Sequence, residues 1–434
     1  MNLDAVYLVY WSVKDPLTQS QSLPVLRALS SRGYRMGLIT YEQAPLFHDE
    51  VEKRKICLKL KDEGIRWFPL RYHGRPRLLA TLWDICRGVW LCLRLSRRFG
   101  VSLFHSRGTV TAAAAFVAAK VSGASFFYDA DGPLSEEYAD AGLWPRASPS
   151  YRLTRWAEGR FLLAADAVAV LTRARRLELE RSSAQSITVL PCAVDTDRFR
   201  FDDKARTRLR EELSLNGTVM VYAGNWGGWY ASDEMMDFVA TVREVLADVC
   251  LLVLTKDSHH RFMEAAAKRG IDDILILHEV PWQSMPEHLS AADVGLSFVR
   301  SLPSKKACSP VKNGEYLACG LPIISTHGIG DYSEMIVREN VGVVIEDLNK
   351  TAYRQAARAM GELLLEPNLR SRCRRVAETE AGFNQIVLPR YLQVYRDLLG
   401  TLPLASHSEE KVRSIECLSQ SPSLRQNSPK RSDS

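Results

Sequence analysis

The stretch SPVKNGEYLACGLPIIST, residues 309–326, predicts a short helix that leads directly into a buried strand. Ser309 is a favoured N-cap residue, and Pro310 suits the first helical position, where its missing N–H is no loss. Gly320 can adopt the left-handed conformation that ends a helix, and Pro322 prevents its continuation. The apolar run that follows is typical of a buried strand. The helix, the tight turn and the strand are therefore expected to follow one another directly, with no intervening loop.

Lys312 and Glu315 lie in the opening turns of this helix. The first backbone N–H groups of a helix have no partners within it and the helix dipole is positive there, which suits a phosphate. Lys312 adds a full charge, and Glu315 can share its face of the helix. The pattern favours a diphosphate near the lysine and a hydroxyl-bearing ring near the glutamate. A solvent-exposed ion pair, worth about 0.2–0.5 kcal/mol, is the alternative explanation.

The composition is that of a globular protein of two or three domains, since 46% of the 434 residues are hydrophobic. No apolar stretch reaches the roughly 18 residues of a membrane span, and residues 1–15 are more typical of a first strand than of a signal peptide. The cysteines lack CxxC pairs and neighbouring histidines, so neither a zinc site nor a disulfide framework is indicated. The mild net charge of +6 comes without a nucleic-acid-binding motif. A cytoplasmic location fits best.

Residues 75–100 combine an apolar helix pattern with Arg87, Arg94 and Arg98. Such a basic amphipathic helix can rest on an anionic membrane surface at the inner membrane face. It can equally pack on a sheet with its arginines in water. The two interpretations are compatible, and the sequence leaves both open.

Strand patterns alternate with helix patterns in two series, which predicts two Rossmann-like parallel sheets covered by helices on both faces. The charged segment 202–217 separates the two series. We therefore expect an N-terminal domain, a C-terminal domain, a final helix at the domain junction and a disordered polar tail, at residues 1–200, 201–382, 383–400 and 401–434.

Ligands of such sheets bind beyond the carboxyl ends of the strands, which draws attention to the loop GNWGGWYAS, residues 224–232. Its glycines let the backbone approach a ligand closely, and its aromatic residues offer flat surfaces. A plain tight turn is the alternative. The chain has neither a GxGxxG fingerprint nor a GxxxxGK[ST] loop, which argues against a dinucleotide-dependent dehydrogenase and a P-loop ATPase.

Two longer motifs carry a family resemblance: ITVLPCAVDTDRF, residues 187–199, and the stretch 309–326. Together with the shorter segments HSRG, AADAVAVLT, LSAADVGLSFV and GIGD, they resemble the retaining GT-B glycosyltransferases of group 1, which include bacterial capsule and O-antigen enzymes. The resemblance implies two Rossmann-like domains facing across a cleft. It also implies that a sugar moves, with retention, from a UDP- or GDP-sugar donor to an acceptor hydroxyl, without an essential metal or other cofactor.

The resemblance implies specific site residues. Glu315 corresponds to the glutamate that binds the ribose hydroxyls, and the adjoining helix start would meet the diphosphate. The expected donor-binding set is Glu315, Lys312, Ser309, Pro310, Tyr316, Gly224, Asn225, Trp226, Gly227, Gly228, Lys256 and Lys306, with Lys305 as a further source of charge. The candidates for catalysis on the acceptor side are Asp131, Asp129 and His105, with Arg107 beside the histidine.

Three departures from the family pattern stand out. Many relatives carry a second glutamate eight positions before the ribose ligand, where this chain has Ala307. Many have an arginine and a lysine in the loop that here reads NWGGWYASDE. A histidine near the reacting sugar is often found where this chain has DADG, which makes Asp129 and Asp131 the corresponding candidates, although an Asp-Gly pair is also a common turn.

We therefore expect a hexosyltransferase-like enzyme of polysaccharide or glycolipid assembly. Its partners would be a nucleotide sugar, a glycan or lipid-linked acceptor and a peripheral membrane contact, but no nucleic acid. Two alternatives remain. A nucleotide-sugar epimerase of the same fold would interconvert donors without an acceptor, and the LPCAVDTDRF segment argues against it. A catalytically silent, sugar-nucleotide-binding or scaffolding subunit would explain Ala307, whereas the Lys312–Glu315 pair favours an active site.

Overall fold

The computed structural model describes residues 2–181, 186–246 and 248–400, except for the side chain of Arg77. Within these residues the strands form two separate parallel sheets, one of seven strands and one of six. The two Rossmann-like sheets expected from the alternating pattern are thereby confirmed. The predicted disordered tail, residues 401–434, lies outside the described residues.

The first sheet belongs to the N-terminal half of the chain, and its described strands all run parallel. Its strands are Ala5–Val9 (β1), Met36–Glu42 (β2), Ile65–Arg71 (β3), Leu103–Arg107 (β4), Ser125–Ala130 (β5), Ala167–Val170 (β6) and Ile187–Val189 (β7). Their order across the sheet is β3-β2-β1-β4-β5-β6-β7. The order therefore reverses between β1 and β4.

The second sheet belongs to the C-terminal half, and its described strands are also parallel. Its strands are Thr218–Ala223 (β8), Val249–Leu254 (β9), Leu275–His278 (β10), Val294–Ser297 (β11), Ile323–Thr326 (β12) and Gly342–Ile345 (β13). Their order is β10-β9-β8-β11-β12-β13, so this order reverses between β8 and β11. A crevice for ligands forms at such a reversal, beyond the carboxyl ends of the strands.

Helices connect the strands and cover both sheets. Those of the N-terminal half are Leu23–Ser30 (α1), Ala44–His48 (α2), Glu50–Asp62 (α3), Arg77–Phe99 (α4), Thr109–Ser122 (α5), Leu134–Asp140 (α6), Pro149–Ala164 (α7) and Arg173–Glu180 (α8). Those that follow are Asp203–Glu212 (α9), Ser232–Val245 (α10), His259–Ala267 (α11), Met285–Ser290 (α12), Val311–Ala318 (α13), Tyr332–Arg338 (α14), Lys350–Leu363 (α15), Leu369–Glu380 (α16) and Leu388–Leu399 (α17). Short 3₁₀ turns include Trp282–Ser284 and Pro303–Ala307.

The hydrophobic cores form because the strands carry apolar side chains on both faces, as expected for parallel sheets that are covered by helices. One cluster fills the C-terminal half, and two others lie on the two faces of the first sheet. The last helix, α17, contributes Tyr391, Val394 and Tyr395 to a cluster of the first sheet. The end of the described chain therefore crosses back and packs on the N-terminal half.

Among the described residues, no helix is long and apolar enough to cross a membrane. Seven of the described cysteines are free.

Candidate active site

Helix α13 presents the opening turns that carry Lys312 and Glu315. Pro310 occupies the N-cap position, one residue earlier in the helix than expected, and no side chain caps the helix. The prediction of Ser309 as the N-cap is therefore wrong: its hydroxyl instead accepts a hydrogen bond of 3.1 Å from the backbone N–H of Cys192. Gly320, with φ of 77°, ends the helix as predicted.

The side chain of Lys312 lies in an aromatic recess at the start of α13. It is only 8% exposed, and its ammonium lies 4.3 Å from the ring centroid of Tyr222 and 4.2 Å from that of Tyr230. Among the described residues, Nζ has no hydrogen-bond partner. Burial lowers the pKa of Lys312 to about 7, although the nearby Glu315 carboxylate opposes the shift. A buried ammonium without an acceptor is costly unless an anion approaches it.

Glu315 is equally buried, with 8% exposure. Burial raises the pKa of its carboxyl to about 7, and a hydrogen bond from the Trp282 side chain and the charge of Lys312 partly offset that rise. The carboxyl can therefore accept hydrogen bonds from a hydroxyl-bearing ring once it is ionised. The structure thus excludes a solvent-exposed Lys–Glu pair, which was the alternative explanation of these two residues.

Arg198 and Trp282 form the wall beside Glu315. The guanidinium carbon of Arg198 lies 3.4 Å from the centroid of a Trp282 ring, and its NH2 group donates a 3.1 Å hydrogen bond to the Trp282 carbonyl. Sequence reasoning missed both residues. Arg198 belongs to the LPCAVDTDRF motif, which could have drawn attention to it, whereas Trp282 follows β10 in a segment with no motif.

The glycine-rich loop after β8 lies against Lys312. A Cβ on Gly224 would meet the Lys312 Nζ at 2.8 Å, so the absent side chain makes room for the ammonium. The loop N–H groups of Trp226 and Gly227 already donate to the Asp257 carboxylate and the Ser232 hydroxyl. Asn225 and Gly228 are exposed.

The aromatic residues of this loop have different surroundings. The ring of Trp226 packs edge-on against Phe262, with 4.8 Å between centroids. Trp229 and Tyr230 instead face Lys305 and Lys312, respectively. The ring of Trp226 therefore supports the loop from the core side, while Trp229 and Tyr230 lie beside the cationic groups.

The predicted donor residues outside the loop and helix start have contrasting positions. Lys256 and Lys306 are exposed. Lys305 is buried, with its ammonium 4.6 Å from the Trp229 ring and 3.4 Å from a carboxylate oxygen of Glu137. Tyr316 is fully buried, and its hydroxyl accepts a hydrogen bond from the N–H of Ala223, at the end of β8. Tyr316 thus connects α13 to the second sheet.

Asp131 follows β5 of the N-terminal half and is the most accessible of the three catalytic candidates. Its side chain is 30% exposed, and one carboxylate oxygen lies 3.9 Å from the Arg107 guanidinium. Burial raises the pKa of Asp131 to about 7, while the Arg107 charge opposes the rise. A carboxyl with a pKa near neutrality suits proton transfer near neutral pH.

His105 and Asp129 are fully buried. The sequence placed His105 at the end of a strand, but β4 continues to Arg107, so the imidazole packs within the core between Tyr7 and Phe127. Its Nδ1 lies 2.9 Å from the Tyr395 hydroxyl, and burial holds its pKa well below the usual value. The imidazole is therefore neutral.

Asp129 is held by two donors, since Arg107 and the Tyr391 hydroxyl reach its Oδ2 at 2.8 and 2.7 Å. Its other oxygen, Oδ1, has no hydrogen-bond partner among the described residues. The carboxylate therefore orients Arg107 and anchors α17 from within the core.

The two halves of the chain meet around these groups. The Ser304 N–H donates to the Asp140 carboxylate at 2.9 Å, and the Thr172 hydroxyl donates to the Lys306 carbonyl at 2.8 Å. Lys305 and Glu137 form a further contact between the halves. Glu137 was missed by sequence reasoning, because nothing in the sequence indicates that α6 approaches the loop after β11. Among the described residues, no cluster of His, Cys, Asp and Glu side chains is placed to hold a metal ion.

Comparison with known proteins matches both halves of the chain to family models. The model described as "Glycosyl transferase 4-like domain" matches residues 20–193. The model described as "Glycosyl transferases group 1" matches residues 217–364. The first model thus covers most of the first sheet, and the second model covers the second sheet with α13.

Two relatives are about a quarter identical to this chain over the residues that match. A GDP-mannose-dependent alpha-(1-6)-phosphatidylinositol monomannoside mannosyltransferase of Mycolicibacterium smegmatis is 25% identical over 47% of this chain. A D-inositol 3-phosphate glycosyltransferase of Acidothermus cellulolyticus is 27% identical over 70% of this chain. The matches span 54% and 64% of the lengths of these two relatives.

A solved structure shows the same fold. The crystal structure of HepE from Anabaena, in complex with UDP-glucose, matches 90% of this chain and 98% of its own, with a TM-score of 0.66 and 13% identity. This likeness confirms the expected GT-B architecture of two Rossmann-like domains.

Proposed function

Because this chain belongs to the glycosyltransferase group 1 family, we propose that it transfers a sugar, with retention, from a nucleotide-sugar donor to an acceptor hydroxyl. The observation that carries the proposal is the buried, unpartnered ammonium of Lys312 beside the buried carboxyl of Glu315 at the start of α13. The retaining outcome rests on the motif resemblance.

Lys312 would bind the donor diphosphate. Its ammonium is already desolvated and fixed between two aromatic rings, so it loses little freedom when the anion arrives. The charge that leaves with the nucleotide would be stabilised by this ammonium and by the first N–H groups of α13. Lys312 therefore takes the place of the arginine and lysine that many relatives carry in the loop after the first strand of this domain. Lys305, whose ammonium lies 4.6 Å from the Trp229 ring of the glycine-rich loop, would be a further source of positive charge.

Glu315 would accept hydrogen bonds from the ribose hydroxyls. The Trp282 side chain donates to the same carboxyl and orients it, and the adjacent Arg198 favours its ionised form. We assign Ser309, Pro310, Gly224, Asn225, Gly227 and Gly228 to the surface that faces the donor. Trp226 and Tyr316 support that surface from the core, and the exposed Lys256 and Lys306 would contribute through charge.

Asp131 would act on the acceptor side. In the transfer, the bond from the anomeric carbon to the diphosphate oxygen breaks, a bond to the acceptor oxygen forms, and the acceptor loses its proton. That proton passes to the departing phosphate in a front-face mechanism, or to Asp131, whose pKa of about 7 suits a base. The fully buried His105 and Asp129 would act by holding Arg107 and α17 in position.

The donor is a UDP- or GDP-sugar in this proposal, and no cofactor is needed. One relative is named as GDP-mannose-dependent, and the HepE structure holds UDP-glucose. The names of both relatives contain an inositol phosphate or phosphatidylinositol acceptor. We propose a glycan or lipid-linked acceptor, hence a role in polysaccharide or glycolipid assembly.

Helix α4 would bring the enzyme to a lipid-linked acceptor at the inner membrane face. It exposes a group of large apolar residues near its start, Leu78, Leu79, Leu82 and Trp83, at 55%, 67%, 48% and 57% exposure. The guanidinium groups of Arg87 and Arg94 flank Trp90 on the same helix. Apolar side chains next to arginines suit the headgroup region of an anionic bilayer.

Flotation with vesicles tests the membrane contact. The purified protein should float with vesicles that contain phosphatidylglycerol and not with pure phosphatidylcholine vesicles. The double variant L79E/W83E should lose flotation, whereas L365E, at a leucine that is 84% exposed elsewhere, should retain it. Equal flotation of wild type and L79E/W83E would reject α4 as the contact.

Nucleotide binding tests the function itself. UDP or GDP should raise the thermal midpoint of the protein, since a ligand that binds only the folded state stabilises it. Glu315→Ala should weaken nucleotide affinity by about tenfold or more, because it removes a carboxylate that accepts hydrogen bonds from the ligand. The matched control is Glu334→Ala, at an exposed glutamate in the first turn of α14.

The same assay separates the alternatives. Unchanged nucleotide binding by a folded Glu315→Ala protein would reject the assigned role of Glu315. Binding followed by slow donor hydrolysis or transfer supports the enzyme, and binding without either favours the scaffolding subunit. Donor interconversion without an acceptor would identify an epimerase.

A further inference from the structure

A cleft at the junction of the two halves is lined by three arginines. Arg173 and Arg176 come from α8, and Arg390 comes from α17, with the strand β7, Ile187–Val189, forming the floor. The cleft has a volume of about 300 Å³. It shares no residue with the proposed donor site.

The acidic partners in this cleft do not balance the arginines. Arg173 pairs with Glu380 at 2.6 Å, but the same carboxylate also accepts from Arg338 at 2.7 Å. Arg176 lies 3.6 Å from the carboxylate of Glu180, and its buried Nε has no hydrogen-bond partner among the described residues. The carboxylates therefore leave positive charge in the cleft uncompensated.

Arg390 is fixed rather than free in this cluster. Its NH1 group donates a 2.7 Å hydrogen bond to the carbonyl of Val189, which points the guanidinium toward the edge of the first sheet. Burial lowers the pKa of Arg390, and the charges of Arg173 and Arg176 lower it further, while Glu380 opposes them. Three like charges held this close repel one another, and an anion between them would remove that repulsion.

We propose that this arginine cleft binds a phosphate group. Planar guanidinium groups match phosphate oxygens with paired hydrogen bonds, and several of them around one cleft suit a diphosphate or a phosphate monoester better than a single carboxylate. The phosphate belongs either to a soluble phosphorylated compound or to a lipid headgroup. In both cases it joins α8 of the N-terminal half to α17, the helix that ends the described chain.

Calorimetric titration with inorganic pyrophosphate tests the site. All proteins carry Lys312→Met, which weakens binding at the proposed donor site and leaves any remaining binding there the same in every variant compared. Pyrophosphate should bind this background, and the added pair R176Q/R390Q should weaken binding by about tenfold or more, since two charge-assisted contacts are lost. The control pair R208Q/R243Q replaces two surface arginines outside the cleft. Arg176→Gln alone, at a side chain that is 40% exposed, tests the site if the pair does not fold.

The outcomes are distinct. A loss of pyrophosphate affinity in R176Q/R390Q or R176Q, but not in R208Q/R243Q, supports the site with a soluble ligand. A parallel loss of binding to phosphatidylglycerol vesicles, without pyrophosphate binding, supports a lipid headgroup as the source. The proposal is overturned by the absence of both kinds of binding, or by equal losses in the cleft and control pairs. Because Lys312 is replaced throughout, any remaining binding at the donor site is common to the cleft and control pairs and does not alter their comparison.

Discussion

At the scale of single residues, Lys312 and Glu315 have pKa values that approach each other from opposite sides. Burial lowers the pKa of the lysine from 10.5 to about 7 and raises that of the glutamate from 4.5 to about 7. The contribution of Glu315 to stability is present below its unfolded pKa and is lost as the pH rises through about 7. That of Lys312 is present above its unfolded pKa and is lost as the pH falls through about 7. The pair therefore stabilises the nucleotide-free protein least near neutral pH.

The lowered pKa of Lys312 predicts proton uptake on donor binding. A diphosphate next to the ammonium favours the charged form and raises its pKa, so the protein should take up about one proton per nucleotide sugar at about pH 8. At about pH 6 the lysine is already charged, whereas Glu315, with a pKa of about 7, has to lose its proton to accept hydrogen bonds from the ribose, so the net change should shift from proton uptake to proton release. Calorimetry in buffers of different ionisation enthalpy measures both values.

Lys312→Met is the matching variant for this measurement. It should bind the nucleotide sugar at least about tenfold more weakly, because a charge-assisted contact is lost, and it should show no proton uptake at about pH 8. Proton uptake that persists in the variant would assign the titrating group elsewhere. Such a result would contradict the role given to Lys312.

At the scale of elements, α17 is attached to the first sheet by two buried tyrosines with unlike partners. The Tyr391 hydroxyl donates to the carboxylate of Asp129 at 2.7 Å, while that of Tyr395 lies 2.9 Å from the imidazole of His105. Hydrogen bonds to a charged acceptor contribute more than those between neutral groups. The attachment of this helix should therefore depend more on Tyr391 than on Tyr395.

Unfolding of two conservative variants tests whether Tyr391 contributes more to stability than Tyr395 does. Tyr391→Phe should lower the free energy of unfolding by about 1.5–3 kcal/mol, and Tyr395→Phe by about 0.5–1.5 kcal/mol. Urea denaturation of the two variants gives the comparison, with each removing a single hydroxyl from a buried ring. Equal losses, or a larger loss for Tyr395→Phe, would contradict the assignment of Asp129 as the anchor of α17.

The elements themselves were largely predictable from local sequence. Gly320 and Pro322 ended the predicted helix, and the structure has α13 and β12 on either side of them. The apolar runs that predicted strands form strands, most of which are buried, and the segment predicted to separate the two sheets contains α9. These features depend on residues that are close together in the chain, and they can therefore be predicted from the local sequence.

At the scale of the whole molecule, sequence reasoning failed where a partner is distant in the chain. Ser309 looked like an N-cap, but its hydroxyl accepts from Cys192, 117 residues earlier. His105 looked like a group at a strand end, but Tyr395, 290 residues later, covers it. The wall of Arg198 and Trp282 is assembled from segments 84 residues apart. Such contacts are set by the fold and leave no local pattern.

Contacts between the two halves of the chain lie beside the candidate site. Lys305 and Glu137, together with Ser304 and Asp140, join the loop after β11 to α6 beside Asp131. Closure of two domains over a bound donor would exclude water and protect the activated donor from hydrolysis. The proposed donor-binding groups belong to the C-terminal half, and Asp131 belongs to the N-terminal half.

The central claim is that Lys312 binds the diphosphate of the nucleotide and that Glu315 binds its ribose. A crystal structure of the protein with UDP or GDP tests it most directly. The account predicts a diphosphate oxygen within hydrogen-bonding distance of the Lys312 ammonium and the ribose hydroxyls on the Glu315 carboxylate, with the Tyr222 and Tyr230 rings still flanking the lysine. A nucleotide bound elsewhere, or one whose ribose does not contact Glu315, would contradict it.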